Sequence, residues 1–278
     1  MKSIFKPIFY FGLLVISNLF TPTTQWGPIG HQAVAKISQD LINYSTQQAI
    51  NKLIPDGNMT AVANWADEVR SLPAFKWSEP LHFINAPSWV CNYNRERDCY
   101  NEEGQYLMCV DGAIQNYTNR LLSNPQSDDL KFLIHFVGDI AQPLHCGFSE
   151  DRGGNTIHVD LLKKSTNLHA VWDSGIIENV INVNFGGNWL NWIQYLEYNF
   201  QPLGNITCDF KNGVCGQIWG DESTNLACEY AYINMDGNKI VNGTHLTETY
   251  IQSRIKIINK QIVKAALRLT FLLNEIFK

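Results

Sequence analysis

Apolar residues recur along most of the chain at helical spacing. Ile29, Ala33, Val34, Ile37, Leu41 and Ile42 share one face and predict a helix over 29–54, with a short second helix over 58–69. Residues 81–106 read as irregular and cysteine-bearing. Helices follow over 112–122 and 127–141. The second has Ser127 as its cap, Asp128 and Asp129 in the first turn, where the helix dipole favours anions, and Pro143 beyond its end. Gly153, Gly154 and the run 156–162 predict a small β-hairpin near 153–165. Helices resume over 168–180, 189–200 and 217–234. Over 246–277, Ile251, Ile255, Ile258, Ile262, Ala265, Ala266, Leu269 and Leu272 line one face, so a long core-facing helix is expected. With no repeat, linker or low-complexity tract, the economical reading is a single compact all-α domain.

The first 25 residues differ in kind. Lys2 and Lys6 precede an apolar run over 8–20 and a polar stretch over 21–25, the pattern of a secretory signal, here with cleavage between Gln25 and Trp26. The run is shorter than the roughly 20 residues a membrane span needs. The expected mature domain is therefore 26–278, secreted or delivered to the lumen of a digestive or lysosomal compartment, with no membrane association and as a monomer.

Composition sharpens this picture. A chain of 278 residues, 45% hydrophobic and 12% aromatic, supports a packed core. Net charge is −5, and loss of Lys2 and Lys6 with the leader takes it to −7. An acidic chain without a basic run is a poor footprint for gripping nucleic acid through its own surface. Sequons at Asn43, Asn58, Asn116, Asn205 and Asn242 suit a secreted glycoprotein. Seven cysteines without a CxxC pair suit an oxidising compartment better than a zinc ribbon. One arrangement, which the spacing does not force, joins Cys208 to Cys215 and Cys99 to Cys109 across short loops and Cys91 to Cys228 over a long one. Cys146 is left over beside His145, as a reduced thiol or a stray ligand.

The chemistry sits in the histidines. His135 and Asp139 are four apart on a predicted helix, as are His169 and Asp173, so each pair points from one face. A single pair of this kind is more often an ordinary ion pair. Both stand among apolar residues, however, where unpaired charge is costly. His145 lies between them, and His31, Asp67 and His82 lie upstream. Imidazole and carboxylate are the usual non-thiolate ligands of zinc, so the joint signal is a multi-metal site.

Seven segments carry a resemblance, in order and spacing: Trp26-Gly-Pro-Ile-Gly-His31, Asn64-Trp-Ala-Asp67-Glu-Val-Arg70, Leu81-His82-Phe83, His135-Phe-Val-Gly-Asp139, Gln142-Pro-Leu-His145, Gly153-Gly-Asn155 and Asn167-Leu-His169-Ala-Val-Trp-Asp173. Together they resemble the zinc-dependent class I nucleases, the single-strand-specific nucleases of fungi and the bifunctional nucleases of plants, from Trp26 to the C-terminus. Cys91-Asn-Tyr, Arg97-Asp-Cys99 and the segment Gly112–Thr118 are most similar to the plant type.

The resemblance implies the phospholipase C/nuclease type of helical fold and three Zn2+ per chain. Asp67, His82, His135 and Asp139 would hold one, and His145, His169 and Asp173 another. His31, Asp139 as a bridge, and Trp26 through its amino nitrogen and carbonyl oxygen would hold the third. An amide nitrogen inside a chain cannot be that amine ligand, so cleavage before Trp26 would complete the site. Three zincs against three ligand carboxylates leave a local excess of about +3 that the chain's net charge hides. The implied activity is endonucleolytic hydrolysis of single-stranded DNA and RNA to 5′-phosphorylated products, with 3′-nucleotidase activity and no stable nucleic-acid complex. The implied nucleophile is water activated between the zincs that share Asp139. Arg70 would neutralise charge developing in the transition state, Phe83 would stack a base and Asn155 would contact substrate.

Asn85 stands where fungal members commonly have an acidic residue, and Cys146 where an apolar one is usual. His158 and His245 match no ligand position and read as structural or surface residues. Zinc-dependent phospholipases C share the ligand set and are the alternative enzyme. A non-catalytic zinc glycoprotein is the remaining alternative.

Overall fold

A computed structural model describes residues 26–200 and 206–278. The predicted leader and the sequon at Asn205 lie outside the described residues. The chain is mostly helical. In order come α1 (Pro28–Leu41), α2 (Tyr44–Leu53), α3 (Met59–Val62), α4 (Trp65–Val69), α5 (Arg95–Asp98), α6 (Val110–Ser123) and α7 (Ser127–Asp139). Two short strands, β1 (His158–Leu161) and β2 (Lys164–Asn167), precede α8 (Leu168–Ala170), α9 (Ile176–Phe185), α10 (Trp189–Asn199) and α11 (Val214–Leu226). Strand β3 (Thr244–Leu246) leads into α12 (Glu248–Ile276).

Helix α12 is the axis of the core. All eight apolar residues of its predicted face are buried, each isoleucine or leucine contributing about 1.5–3 kcal/mol of burial free energy. It packs against α1, α7, α9 and α6. Three polar contacts fix its register: Trp172 Nε1 donates to Tyr250 Oη at 2.9 Å, Trp192 Nε1 to Asn259 Oδ1 at 3.1 Å, and Gln261 Nε2 to the Ala141 carbonyl at 3.1 Å. Helix α12 therefore supports both segments that carry a His-x-x-x-Asp pair.

Several local expectations are corrected. The helix predicted over 29–54 is two, because Ile42 is extended and the Asn43 side chain accepts the Thr46 N–H at 2.8 Å, starting α2 afresh. The helix predicted over 58–69 likewise breaks into α3 and α4. Ser127 is the first residue of α7 rather than its cap; Gln126 holds that place without a side-chain cap. The segment over 168–180 continues to Phe185 but passes through a π-helical turn at Val171–Gly175. The hairpin is β1 with antiparallel β2, shifted towards Asn167, and β1 also pairs in parallel with β3. Residues 246 onwards thus open in a strand before α12.

Disulfides join Cys91 to Cys228, Cys99 to Cys109 and Cys208 to Cys215, while Cys146 is a buried free thiol. Among the described residues no helix is long and apolar enough to cross a membrane. The four described sequon asparagines, Asn43, Asn58, Asn116 and Asn242, are exposed.

Candidate metal centre

The ligand candidates arrive from six parts of the fold. His31 comes from α1, Asp67 from α4, and His135 and Asp139 from α7. His82 and His145 sit on the 3-10 turns Lys76–His82 and Pro143–Cys146, and His169 and Asp173 on α8 and the π-turn after it. The widened π-turn sits where Asp173 must face inwards, a common use of this irregularity. Close approach of α1 to α7 depends on glycine: a Cβ at Gly138 would stand 2.7 Å from His31 Nδ1.

These side chains form one buried cluster, with three groups of donor atoms that could each hold a metal ion: His31, His135 and Asp139; Asp67, His82 and His135; and His145, His169 and Asp173. Within each group the donor atoms lie within 4.8 Å of one another. Asp139 is central. Its Oδ1 is 3.2 Å from His31 Nε2 and 3.4 Å from His145 Nδ1, while its Oδ2 is 2.9 Å from His82 Nδ1 and 3.3 Å from His135 Nε2. Its two oxygens face different neighbours, the geometry a bridging carboxylate needs. Asp67 Oδ1 is 3.6 Å from His135 Nε2 and 3.8 Å from His82 Nδ1, and Asp173 Oδ2 is 3.2 Å from His169 Nε2.

Backbone carbonyls aim three of the rings. His135 Nδ1 meets the Ala63 carbonyl at 2.8 Å, His145 Nδ1 the His82 carbonyl at 3.0 Å and His169 Nδ1 the Gly153 carbonyl at 2.7 Å. A carbonyl only accepts, so in the neutral ring Nδ1 carries the proton and the Nε2 lone pair faces the cluster. Gln142 Nε2 donates to Asp173 Oδ1 at 2.6 Å, fixing that carboxylate in turn. Among the described residues, buried His145 Nε2, Asp173 Oδ2 and both ring nitrogens of His31 find no hydrogen bond, the arrangement expected of donors oriented towards a cation.

Electrostatics fit this reading. Burial keeps His31 and His82 easier to deprotonate than usual and lowers His145 to about 3 and His169 to about 4. Burial also opposes charge on His135, but the Asp139 and Asp67 carboxylates outweigh it and hold this imidazole at about 10. Burial disfavours the charged carboxylates too; at Asp67 and Asp139 the adjacent imidazoles overcome it and hold both below the usual range, whereas Asp173 is pushed up. Without metal, one proton on His135 balances the shared carboxylates. A bound cation takes over that role with more charge.

The remaining predicted residues surround the cluster. Arg70 follows α4, with its Nε 3.6 Å from Asp67 Oδ1 and its side chain 20% exposed. Phe83 is half-buried directly after His82, and its carbonyl accepts the Val110 N–H at 3.1 Å. Asn155 Nδ2 donates to the Arg152 carbonyl at 2.9 Å, two residues from the carbonyl that aims His169. Trp26 is fully buried; its Nε1 donates to the Gly138 carbonyl at 2.7 Å, and Gly27 N–H donates to the Asp173 carbonyl at 2.8 Å. The first described residues are thus pinned between the two ligand-bearing segments.

Cys146 stays out of the metal groups and turns its Sγ towards the Ile140 carbonyl, 3.7 Å away, as a reduced thiol. His158 and His245 are exposed, and His245 Nδ1 meets Asp160 Oδ2 at 2.9 Å. Sequence reasoning missed the Ala63, His82 and Gly153 carbonyls and Gln142. Only Gln142 offered a signal, inside the segment leading to His145.

A helical domain enclosing a buried histidine–aspartate cluster that could bind several metal ions defines a class of metal-dependent hydrolase. Sequence comparison sharpens the class: the profile described as S1/P1 Nuclease matches residues 26–278. Endonuclease 4 of Arabidopsis thaliana is 37% identical over 285 residues, covering 95% of this chain and 93% of the relative. Nuclease P1 of Penicillium citrinum is 32% identical over 272 residues, covering 90% and 97%, and nuclease S1 of Aspergillus oryzae is 32% identical over 270 residues, covering 89% and 90%. The chain belongs to the S1/P1 nuclease family and is a phosphodiester hydrolase.

Proposed function

We propose that this protein is a secreted, trinuclear-zinc nuclease that hydrolyses single-stranded DNA and RNA to 5′-phosphorylated products and also acts on 3′-nucleotides. The observation that carries the reading is the continuity of the donor groups: Asp139 turns one oxygen to His31 and the other to His82 and His135. The donors are imidazoles and carboxylates, the set zinc favours; burial keeps His31, His82, His145 and His169 neutral at mild pH, and His135 gives up its proton to the incoming cation.

Asp67, His82, His135 and Asp139 would hold one zinc; His145, His169 and Asp173 a second; His31, Asp139 and the freed amino nitrogen and carbonyl oxygen of Trp26 the third. Zinc in such a setting supplies a water nucleophile near neutral pH and stabilises negative charge on phosphate and the departing oxygen. The chain's own residues then select and orient substrate. Arg70, tethered by Asp67, offers a guanidinium to a phosphate oxygen. Phe83 presents a half-buried ring on which any base can stack, and Asn155 adds a polar contact. Stacking favours strands whose bases need not first leave a duplex. Secretion and glycosylation at Asn43, Asn58, Asn116, Asn205 and Asn242 follow from the leader and the sequons.

The test is release of acid-soluble nucleotides from single-stranded DNA by protein beginning at Trp26, before and after chelation, with zinc counted in the same sample. Activity that disappears with zinc and favours single strands over duplex supports the reading. Undiminished activity after complete zinc removal, or release of phosphocholine from lecithin in place of nucleotides, overturns it.

A further inference from the structure

The bend over 148–155 lies outside the ligand set, yet its Gly153 carbonyl reaches in to accept the His169 Nδ1 proton. Three successive residues of the bend, Arg152, Gly153 and Gly154, have positive φ values of 54°, 62° and 85°. Such a run needs neighbours to hold it, above all at Arg152, which carries a Cβ. A Cβ at Gly153 would meet the Leu144 carbonyl oxygen at 2.2 Å, so the backbone here leaves no room for adjustment.

Backbone bonds such as Gly153 N–H to the Phe148 carbonyl at 2.9 Å close the bend, and two side chains tie it down further. The Tyr232 hydroxyl donates to Asp151 Oδ1 at 2.8 Å and accepts the Phe148 N–H at 3.1 Å. The same Asp151 oxygen accepts the Gly154 N–H at 2.7 Å. The Tyr232 ring is buried and stacks on Phe148 with centroids 4.5 Å apart. A phenylalanine would make that stack equally well, so the hydroxyl serves the bend and not the packing.

We infer that Tyr232 and Asp151 are a positioning pair for His169. The hydroxyl fixes Asp151, Asp151 fixes the Gly154 amide, and the bend so held presents the carbonyl that sets the tautomer and direction of the His169 ring. The inference rests on the zinc reading of the site. Partners that orient a metal-ligating histidine typically change metal affinity by about 10–100-fold, and Tyr232 acts further out, so the lower figure applies.

The experiment titrates the zinc-loaded protein with a chromophoric chelator and counts ions released at each concentration. In Tyr232→Phe, one ion should leave at about tenfold lower chelator concentration while the others follow the parent curve. Asp151→Ala should do the same, and adding Tyr232→Phe to it should change nothing further, because both act through one bend. Asp151→Asn keeps an acceptor oxygen and should stay close to the parent. In nuclear magnetic resonance spectra of the same samples, the His169 Nδ1 proton should exchange faster with water in Tyr232→Phe. Parental release curves in Tyr232→Phe overturn the inference, as does equal loss of all ions with a falling melting temperature, which marks general loosening. A parent protein that takes up no zinc sinks the zinc reading itself, a result distinct from either.

Discussion

Gly138→Ala isolates the contact between α1 and α7. The added methyl would stand 2.7 Å from His31 Nδ1 and 3.1 Å from its Cε1. The nearer distance is roughly 0.7 Å inside ordinary van der Waals contact. His31 cannot retreat freely, because its ring stacks on His135 with centroids 3.8 Å apart and planes 12° from parallel. Metal–ligand distances tolerate about 0.2 Å, so a push of that size should cost the ion assigned to His31. Overpacking a buried site costs about 1–3 kcal/mol. For a domain of this size each kcal/mol lowers Tm by about 2–4 °C, giving a fall of about 2–12 °C. Elemental analysis of the variant should find one zinc fewer per chain than in the parent, calorimetry the lower Tm, and single-stranded DNA hydrolysis a loss of at least about a hundredfold, the scale set by removing one group that stabilises a transition state. Parental zinc content together with parental Tm would refute the reasoning, since it would mean that His31 moved aside without cost.

Two further predictions follow from the same cluster. A mature chain that retains a single residue before Trp26 should bind one zinc fewer than one beginning at Trp26, because an amide nitrogen cannot replace the amine; full occupancy in elemental analysis would sink the proposed role of cleavage. The chelated protein should lose stability on acidification: the unfolded chain protonates His145 and His169 near pH 6.5, but burial delays this in the fold to about 3 and 4. Their contribution is full above about pH 6.5 and falls towards pH 4 by about 1.4 kcal/mol per unit for each; His31 and His82, lowered by burial, act in the same sense, and Asp173, pushed up by burial, acts against them. Four imidazoles held down against one carboxyl held up leave a net loss of stability on acidification. Urea midpoints at pH 7, 6 and 5 should fall in that order, and a level or rising series would contradict the electrostatic account. Above pH 6.5 the raised His135 works in the opposite sense, its stabilising share being lost as pH climbs through about 10.

Periodicity located α12 and α7 because their buried faces repeat every three to four residues over several turns. It overran Ile42 because the break depends on a side chain of Asn43 competing for a backbone amide, which leaves no mark on the hydrophobic pattern. Strand β3 escaped for a different reason: its partner β1 lies some eighty residues earlier, and a three-residue parallel pairing has no local signature. In the site, His135, Asp139, His169 and Asp173 were legible because charge at helical spacing among apolar residues calls for a partner. The carbonyls that aim the imidazoles were not, since every residue has one and only the folded path decides which points inwards.

Among the described residues every candidate ligand lies between Trp26 and Asp173, and α12 supplies none. It nevertheless lies against α1 and α7, and its Gln261 and Tyr250 reach the backbone after α7 and the Trp172 indole beside Asp173. A nascent chain that stops short of α12 would hold the full complement of donors without the scaffold that gathers them. Assembly of the site therefore rests on a helix that contributes no donor, so a substitution on its buried face can reach the cluster without touching a ligand.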